Sequence, residues 1–246
     1  MEYSSGQLSI DGLQPACRSI QYLSKKSNFN AYLLIETSIV FAATVLAVRI
    51  LTANPTLAAA WFMSPAILVA AAIIPRVLRK DKFPEMDFSI NQITYSLKII
   101  FLTGIFVFPV LFLSLWLMIY HRLEFPLQPM LPRGQNLFSW VIYQFMYIAV
   151  AEELFFRSYL QTNILKLANG AVGQQHKFQK WMSIVITAAC FAVAHIIVQG
   201  QVISVLTFFP GLVFGWLFVR TRTILAPILF HGLANTSYLL MIIFLT

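Results

Sequence analysis

The chain has 246 residues, of which 59% are hydrophobic and 11% are charged, whereas a soluble globular domain has about 45–50% apolar and about 25% charged residues. This composition excludes an ordinary soluble protein and predicts a polytopic membrane protein. The formal net charge is +8, but the basic residues are spread over short loops between apolar runs, which excludes a nucleic-acid-binding face.

Seven apolar runs are close to the length of a membrane-spanning helix, about 20 residues. In chain order they cover residues 31–51, 57–78, 92–120, 137–167, 181–198, 202–219 and 224–245. The third run is longer than a bilayer requires and contains Pro109, so a kink or an eighth span is expected there. The fold class predicted is therefore an all-α membrane bundle of about seven helices, with eight as the alternative.

The runs divide the chain into a polar cytoplasmic leader, residues 1–30, a group of amino-terminal membrane helices, residues 31–136, and a carboxyl-terminal core, residues 137–246. Basic residues concentrate in the leader and in every second connection, for example Arg79 and Lys80. Because basic residues mark cytoplasmic loops, the amino terminus is predicted in the cytoplasm. With seven spans, the carboxyl terminus lies on the opposite side. Arg79 and Lys80 are read as this topology signal.

Few polar groups that lipid would reject lie well inside the runs. They are Glu152, Glu153 and Arg157 in the fourth run, His195 in the fifth, and His231 and Asn235 in the seventh, whereas Glu36 and Lys98 lie close enough to an interface to be solvated. Each charge at the centre of a membrane helix costs about 2.5–3.5 kcal/mol on insertion scales. Such residues are retained for a function or for a specific pairing. Gly211 and Gly215 in the sixth run are instead expected to allow close helix packing.

The spacing of these residues suggests their chemistry. Glu153 and Arg157 are four residues apart, so they meet on one helix face as an ion pair, and Glu152 is left as an unpaired acid suited to a general base. His231 and Asn235 are also four apart and point into one space, where they can donate hydrogen bonds to a developing oxyanion. With His195, these residues could position a water molecule to attack an amide carbonyl.

Depth within the membrane argues against a simple arrangement. A rise of about 1.5 Å per residue from the span starts places Glu152 about 8 Å, His231 about 11 Å and His195 about 21 Å from the cytoplasmic side. Straight helices would not align the three side chains. Alignment requires tilted helices or span ends at different heights.

Other chemistries remain open at this point. The chain has no His-Glu-x-x-His zinc motif and no Gly-x-Ser-x-Gly nucleophile motif, but Glu152, Glu153, His195 and His231 would be an acceptable ligand set for zinc. Buried Glu, Arg and His also occur in transporters and proton relays, although no internal repeat of the kind seen in transporters is visible. A non-catalytic immunity or scaffold protein is a third alternative.

Three motifs resemble those of the CAAX protease and bacteriocin-processing (CPBP) family. They are Glu152-Glu153-x-x-x-Arg157, Phe191-x-x-x-His195 and His231-x-x-x-Asn235, and the resemblance covers roughly residues 137–246. It implies an intramembrane endopeptidase of the glutamate type, similar to the endopeptidase that trims prenylated CAAX proteins.

By motif position, the resemblance implies that Glu152 is the base and that His195 orients the water. His231 and Asn235 form the oxyanion site, and Glu153 with Arg157 supports the helix that carries Glu152. No metal or other cofactor is expected. The expected partners are membrane lipid and a membrane-associated or lipid-linked protein substrate, cleaved near its carboxyl-terminal tail or membrane segment.

The identity of the substrate stays open, because a prenylated tail, a bacteriocin leader and a sorting tail all fit. An apolar route to the site would suit such substrates. Phenylalanines near the motifs are candidates to bind substrate along that route: Phe155, Phe156 and Phe191.

Overall fold

The computed structural model describes residues 13–54, 63–81, 89–122, 136–170 and 177–245. In these ranges the chain forms seven helical stretches and no strand, so the predicted all-α class is confirmed. The stretches are α1 (Leu13–Ala53), α2 (Ser64–Arg79), α3 (Ile90–Tyr120), α4 (137–170), α5 (Lys177–Gln199), α6 (Val202–Thr221) and α7 (Leu225–Leu245).

Five of the described helical segments are long and apolar enough to cross a membrane: Phe29–Ala53 within α1, α3, α5, α6 and α7. The chain is therefore an integral membrane protein. Of the other two helices, α2 has 16 residues and α4 carries the buried charges of the motifs. A total of seven or eight spans stays a prediction, as does the orientation of the termini. The third run is one continuous helix through Pro109, which does not support a second span there.

Helix α1 begins at Leu13, inside the predicted leader, so the second part of that leader is helical. Residues 1–12 of the leader lie outside the described residues. The amino-terminal ends of α3 and α4 are capped by polar side chains. The Ser89 side chain accepts a hydrogen bond from the backbone of α3, and that of Asn136 accepts one from the backbone of α4. Both are common N-cap residues, because their oxygens satisfy a free backbone N–H group.

Helices α5 and α6 pack closely because glycine lies at their contact. A β-carbon on Gly211 would lie 3.2 Å from Ala188, and one on Gly215 would lie 3.2 Å from Ile184. Small residues allow membrane helices to approach each other in this way. The close helix packing that sequence predicts for these two glycines is confirmed.

Helix α4 is the central element of the fold. Its first half packs against α7, and its second half packs against α2, α5 and α6. The side-chain amide of Gln161 in α4 donates a hydrogen bond to the Gly215 carbonyl of α6 at 3.1 Å. Because most helices contact α4, side chains from several helices can meet on its faces.

One group of charges fastens the end of α4 to α1 and α2. We call it the helix-end cluster; it consists of Glu36, Arg79, Asp81, Tyr159 and Lys166. Arg79 forms ion pairs with Glu36 and with Asp81, and Lys166 contacts Asp81 at 2.8 Å. Tyr159 donates a hydrogen bond to Glu36 at 3.1 Å. The Arg79 side chain is only 8% exposed. Arg79 therefore holds helices together in addition to the topology signal predicted for it.

The electrostatics of Asp81 follow from these contacts. Partial burial opposes ionisation of its carboxyl group. The hydrogen bonds and charges of Lys166 and Arg79 outweigh that effect and hold the pKa of Asp81 below its ordinary value. The ion pairs of the helix-end cluster therefore persist at neutral pH.

Candidate active site

The two glutamates of the first motif lie in a short α-helical stretch, Val150–Glu153, between two π-helical stretches of α4. The π stretches are Gln144–Ala149 and Leu154–Gln161. π-Helical turns are rare and are frequently found at functional sites. Their wider turns also change the direction of side chains relative to a regular helix, so 3.6-residue periodicity alone cannot place the residues of this segment.

Glu153 and Arg157 form the predicted pair on α4. The Arg157 Nε and Glu153 Oε2 atoms are 3.0 Å apart, and both side chains are completely buried. Such a pair reduces the penalty of burying each charge, while removal of one partner leaves the other uncompensated.

Aromatic rings surround the Arg157 guanidinium. Its central carbon lies 5.0 Å from the ring centre of Phe191, 5.4 Å from that of Phe214 and 5.9 Å from that of Phe156. Aromatic faces attract cations at these distances. Arg157 is thereby held inside the bundle by rings as well as by Glu153.

The phenylalanines predicted to bind substrate are core residues in this structure. Phe155, Phe156 and Phe191 are 0%, 3% and 2% exposed. Phe156 and Phe191 contact each other edge to face and both flank Arg157. Phe156 and Phe191 thereby help to hold the helix that carries the glutamates, and the substrate-binding role of the three residues stays a prediction.

Glu153 also connects the first motif to the third. Its Oε1 atom lies 2.8 Å from Nδ1 of His231 in α7. A carboxylate paired with an arginine accepts hydrogen bonds, so Nδ1 of His231 is the donor. The Nε2 atom of the same ring is then directed toward Glu152, with 3.8 Å between Nε2 and Glu152 Oε2.

His195 approaches Glu152 from α5. Its Nε2 atom lies 4.0 Å from Glu152 Oε2. Its Nδ1 atom donates a hydrogen bond to the Phe191 carbonyl at 2.9 Å, since a carbonyl oxygen can only accept. In the neutral ring Nε2 is therefore an acceptor.

The same hydrogen bond fixes the direction of the His195 ring. The ring folds back over the preceding turn of α5, with its centre 4.3 Å from that of Phe191. Helical side chains point toward the amino-terminal end of their helix, which moves the imidazole about one turn, or about 5 Å, along the axis. The misalignment expected from counting residues does not occur: Glu152, His195 and His231 are brought together.

The centre of the site holds more acceptors than donors. Glu152 Oε2 is buried and has no hydrogen-bond partner among the described residues. With both Nδ1 atoms donating elsewhere, neutral rings at His195 and His231 would present two further acceptors to the same space. A water molecule can donate to only two of these three atoms, so the third needs a second donor.

Asn235 lies beside this centre and is held by a residue that sequence reasoning missed. Its side-chain Nδ2 donates a hydrogen bond to Oε1 of Gln144 at 2.9 Å. Gln144 begins the first π stretch of α4 and belongs to none of the three motifs. The signal that the sequence offers for Gln144 is that it is a polar residue within an apolar run.

Gly232 permits the close approach of α7 and α4 at this point. A β-carbon on Gly232 would lie 2.5 Å from the ring of Phe145, a distance that real side chains do not adopt. Gly232 directly follows His231, so this contact sets how near the third motif lies to α4. Sequence reasoning identified other glycines for helix packing and missed this one.

A metal site would draw on the same residues. In the ranges that the structure describes, no group of three His, Cys, Asp or Glu side chains has an arrangement that would hold a metal ion. The separations of 3.8 and 4.0 Å around Glu152 Oε2 exceed the distance of about 3.4 Å between ligand atoms of a tetrahedral zinc site. Metal independence stays a prediction.

A family model matches the region that carries this site. Residues 134–237 match the model described as type II CAAX prenyl endopeptidase Rce1-like. This Rce1-like region, which covers less than half of the chain, is similar to a family of proteases. The resemblance found from the three motifs is thereby confirmed.

All the residues proposed for catalysis lie in the Rce1-like region, as do both π stretches of α4. Helices α1, α2 and α3 lie outside it. No curated protein and no solved structure matches the chain.

Proposed function

We propose that the protein is an intramembrane endopeptidase that hydrolyses a peptide bond with a water molecule activated by Glu152 and His195. The observation that carries this proposal is the position of the buried Glu152 Oε2 atom, 4.0 Å from Nε2 of His195 and 3.8 Å from Nε2 of His231. Both gaps are too long for direct hydrogen bonds. Each is short enough for a shared water or substrate atom.

In the first step, the water donates one hydrogen bond to Glu152 and the other to Nε2 of His195. Glu152 accepts a proton from the water as its oxygen attacks the scissile carbonyl carbon. His195 acts through its tautomer, because the bond from Nδ1 to Phe191 keeps Nε2 available as an acceptor. General-base assistance of this kind contributes about 10²–10⁴-fold in rate.

The tetrahedral intermediate places a negative charge on the former carbonyl oxygen. His231 and Asn235 are the donors proposed for it, which requires His231 to carry a proton on Nε2 as well as on Nδ1. The carboxylates of Glu153 and Glu152 lie 2.8 and 3.8 Å from the two nitrogens of that ring, on the sides to which its two N–H groups would point. The extra proton also removes the excess of acceptors at the centre of the site.

Collapse of the intermediate breaks the C–N bond. The proton that Glu152 took from the water passes to the leaving amine, and Glu152 returns to its ionised form. Throughout, Glu153 holds His231, and Arg157 balances the charge of Glu153. The cycle therefore needs no metal ion and no covalent intermediate.

The substrate class follows from the family and from the location of the site. CAAX proteases act on membrane-associated prenylated proteins, and a site enclosed by apolar helices suits a lipid-linked or membrane-inserted chain. We therefore propose a carboxyl-terminal tail with an attached or adjacent apolar anchor as the substrate.

The proposal is tested with purified protein in detergent and a panel of tail peptides with and without a prenyl group. We expect cleavage of prenylated peptides that survives a chelator and is lost in Glu152→Gln. Loss of cleavage on chelation, with recovery on addition of zinc, would instead make Glu152, His195 and His231 metal ligands. Unchanged cleavage by Glu152→Gln would contradict the proposed chemistry.

A further inference from the structure

Gln144 has a direct contact with the oxyanion site and no assigned role. It lies nine residues before Glu153 on α4 and accepts the 2.9 Å hydrogen bond from Asn235 Nδ2. An asparagine amide has an oxygen on one side and an NH₂ group on the other. Only one of its two orientations offers an N–H group to an oxyanion.

The acceptor at Gln144 selects that orientation. With Gln144 Oε1 accepting one N–H bond, the second hydrogen on the same nitrogen remains for another oxygen. With the Gln144 amide in the orientation that the structure shows, a 180° turn of Asn235 would bring its Oδ1 atom to face Gln144 Oε1, and two acceptors would oppose each other. The energetic difference between two orientations is greatest where water is scarce, as inside a membrane bundle.

Two further features hold Gln144 in register with Asn235. Gln144 opens the π stretch that follows the first turns of α4. The next residue, Phe145, contacts α7 where Gly232 leaves no room for a side chain. Helices α4 and α7 are therefore in close contact one residue from Gln144 and three residues from Asn235.

We propose that Gln144 is a positioning residue of the peptidase, which turns the Asn235 amide so that an N–H group faces the substrate oxyanion. This inference rests on the proposed function and adds to it a residue outside the three motifs. Gln144 acts through Asn235 and has no contact of its own with the reacting atoms.

The test compares Gln144→Met, which keeps the length of the side chain and removes the acceptor, with Gln144→Glu, which keeps an acceptor. Asn235→Ala and the double variant Gln144→Met/Asn235→Ala complete the set, with kcat, KM and Tm measured on the cleaved tail peptide. Loss of one oxyanion donor lowers kcat by about 10²–10³-fold. We expect Gln144→Met to lower kcat by about 10–100-fold with KM and Tm near those of the wild type.

Coupling between the two residues is the decisive readout. We expect the double variant to be no slower than Asn235→Ala alone, and Gln144→Glu to be faster than Gln144→Met. Multiplicative losses in the double variant, or equal rates for Gln144→Met and the wild type, would overturn the inference. If Gln144→Met does not fold, Gln144→Asn, which is shorter by one carbon, is measured in the same cycle.

The design separates this inference from the proposed function. A large loss in Asn235→Ala with none in Gln144→Met refutes the role of Gln144 and leaves the peptidase mechanism in place. Full activity of both Asn235→Ala and Glu152→Gln refutes the mechanism itself, and the role of Gln144 with it.

Discussion

Two groups of charges contact α4, and they use their hydrogen-bonding atoms in opposite ways. In the helix-end cluster the ionic contacts are short: Arg79 pairs with two carboxylates, and Lys166 contacts Asp81 at 2.8 Å. In the candidate active site Glu152 has only its distant histidine neighbours, at 3.8 and 4.0 Å. Its Oε2 atom is buried without a hydrogen-bond partner in the part of the chain that the structure describes.

The difference indicates what each group is for. Close pairing satisfies charges and holds helices together, although a buried ion pair adds little net stability compared with apolar packing. A buried acceptor that is left unsatisfied destabilises the fold by about 1–3 kcal/mol, more when it is charged. Such an atom is retained where a substrate or water molecule supplies the missing partner. The contrast therefore supports the proposal that the helix-end cluster fastens helices and that Glu152 performs the chemistry.

The Glu153–Arg157 pair both satisfies buried charges and supports the candidate active site. Breaking it is expected to have the largest effect on stability and cleavage. In Arg157→Met the carboxylate of Glu153 remains buried without its cation, and removal of one partner from a buried pair destabilises by about 3–5 kcal/mol. We expect a strongly lowered Tm and loss of cleavage, since an uncompensated Glu153 no longer holds His231 in position. Thermal unfolding in detergent and the peptide assay measure the two effects.

The double variant Glu153→Gln/Arg157→Met is the matched control, because it removes both charges. We expect it to recover much of the lost Tm and none of the lost activity. Recovery of cleavage along with stability would show that the pair only supports the fold.

Gly232 gives the next largest effect. In Gly232→Ala the new methyl group would collide with the Phe145 ring, and overpacking of this kind costs about 1–3 kcal/mol. Because α7 must move away from α4, the distances from His231 and Asn235 to their α4 partners should increase and kcat should fall. Phe145→Leu in the same chain should restore part of the activity. A double variant as slow as Gly232→Ala would contradict the steric explanation.

The smallest effect is expected from Asp81. Its pKa is below the ordinary value of 3.8 in the folded protein, so the unfolded chain binds more protons and the contribution of Asp81 to stability is lost as the pH falls through the lowered pKa. Above its ordinary pKa that contribution is fully present. Asp81→Asn should therefore lower stability at pH 7 by about 1 kcal/mol or less, and the gap in Tm should close in acid. Activity at pH 7 should be nearly unchanged.

The sequence predicts the helices of this protein well because each long apolar run must be helical in a membrane. The predicted runs at 92–120, 202–219 and 224–245 differ from α3, α6 and α7 by at most two residues at either end. The pair of Glu153 and Arg157 was predictable for a similar reason, since residues four apart share a helix face.

Contacts between helices were not predictable from one sequence. The hydrogen bond from Asn235 to Gln144 joins residues 91 positions apart, and no local periodicity encodes it. The helix-end cluster was missed because Glu36 and Arg79 lie near span ends, where charges are readily explained by solvent or topology. Phe156 and Phe191 pack around the buried Arg157 cation, a contact that the sequence does not reveal. Their hydrophobicity alone suggested that they line a path for substrate.

The assignment of chemistry to Glu152 and fastening to the helix-end cluster is tested most directly by comparing Glu152→Gln with Glu36→Gln for both Tm and cleavage rate. We predict that Glu152→Gln abolishes cleavage and keeps or raises Tm, because an unsatisfied buried charge is removed. We predict that Glu36→Gln lowers Tm, because Arg79 loses a partner, and leaves cleavage close to that of the wild type. A Glu152→Gln protein that unfolds readily and still cleaves the peptide would contradict both assignments.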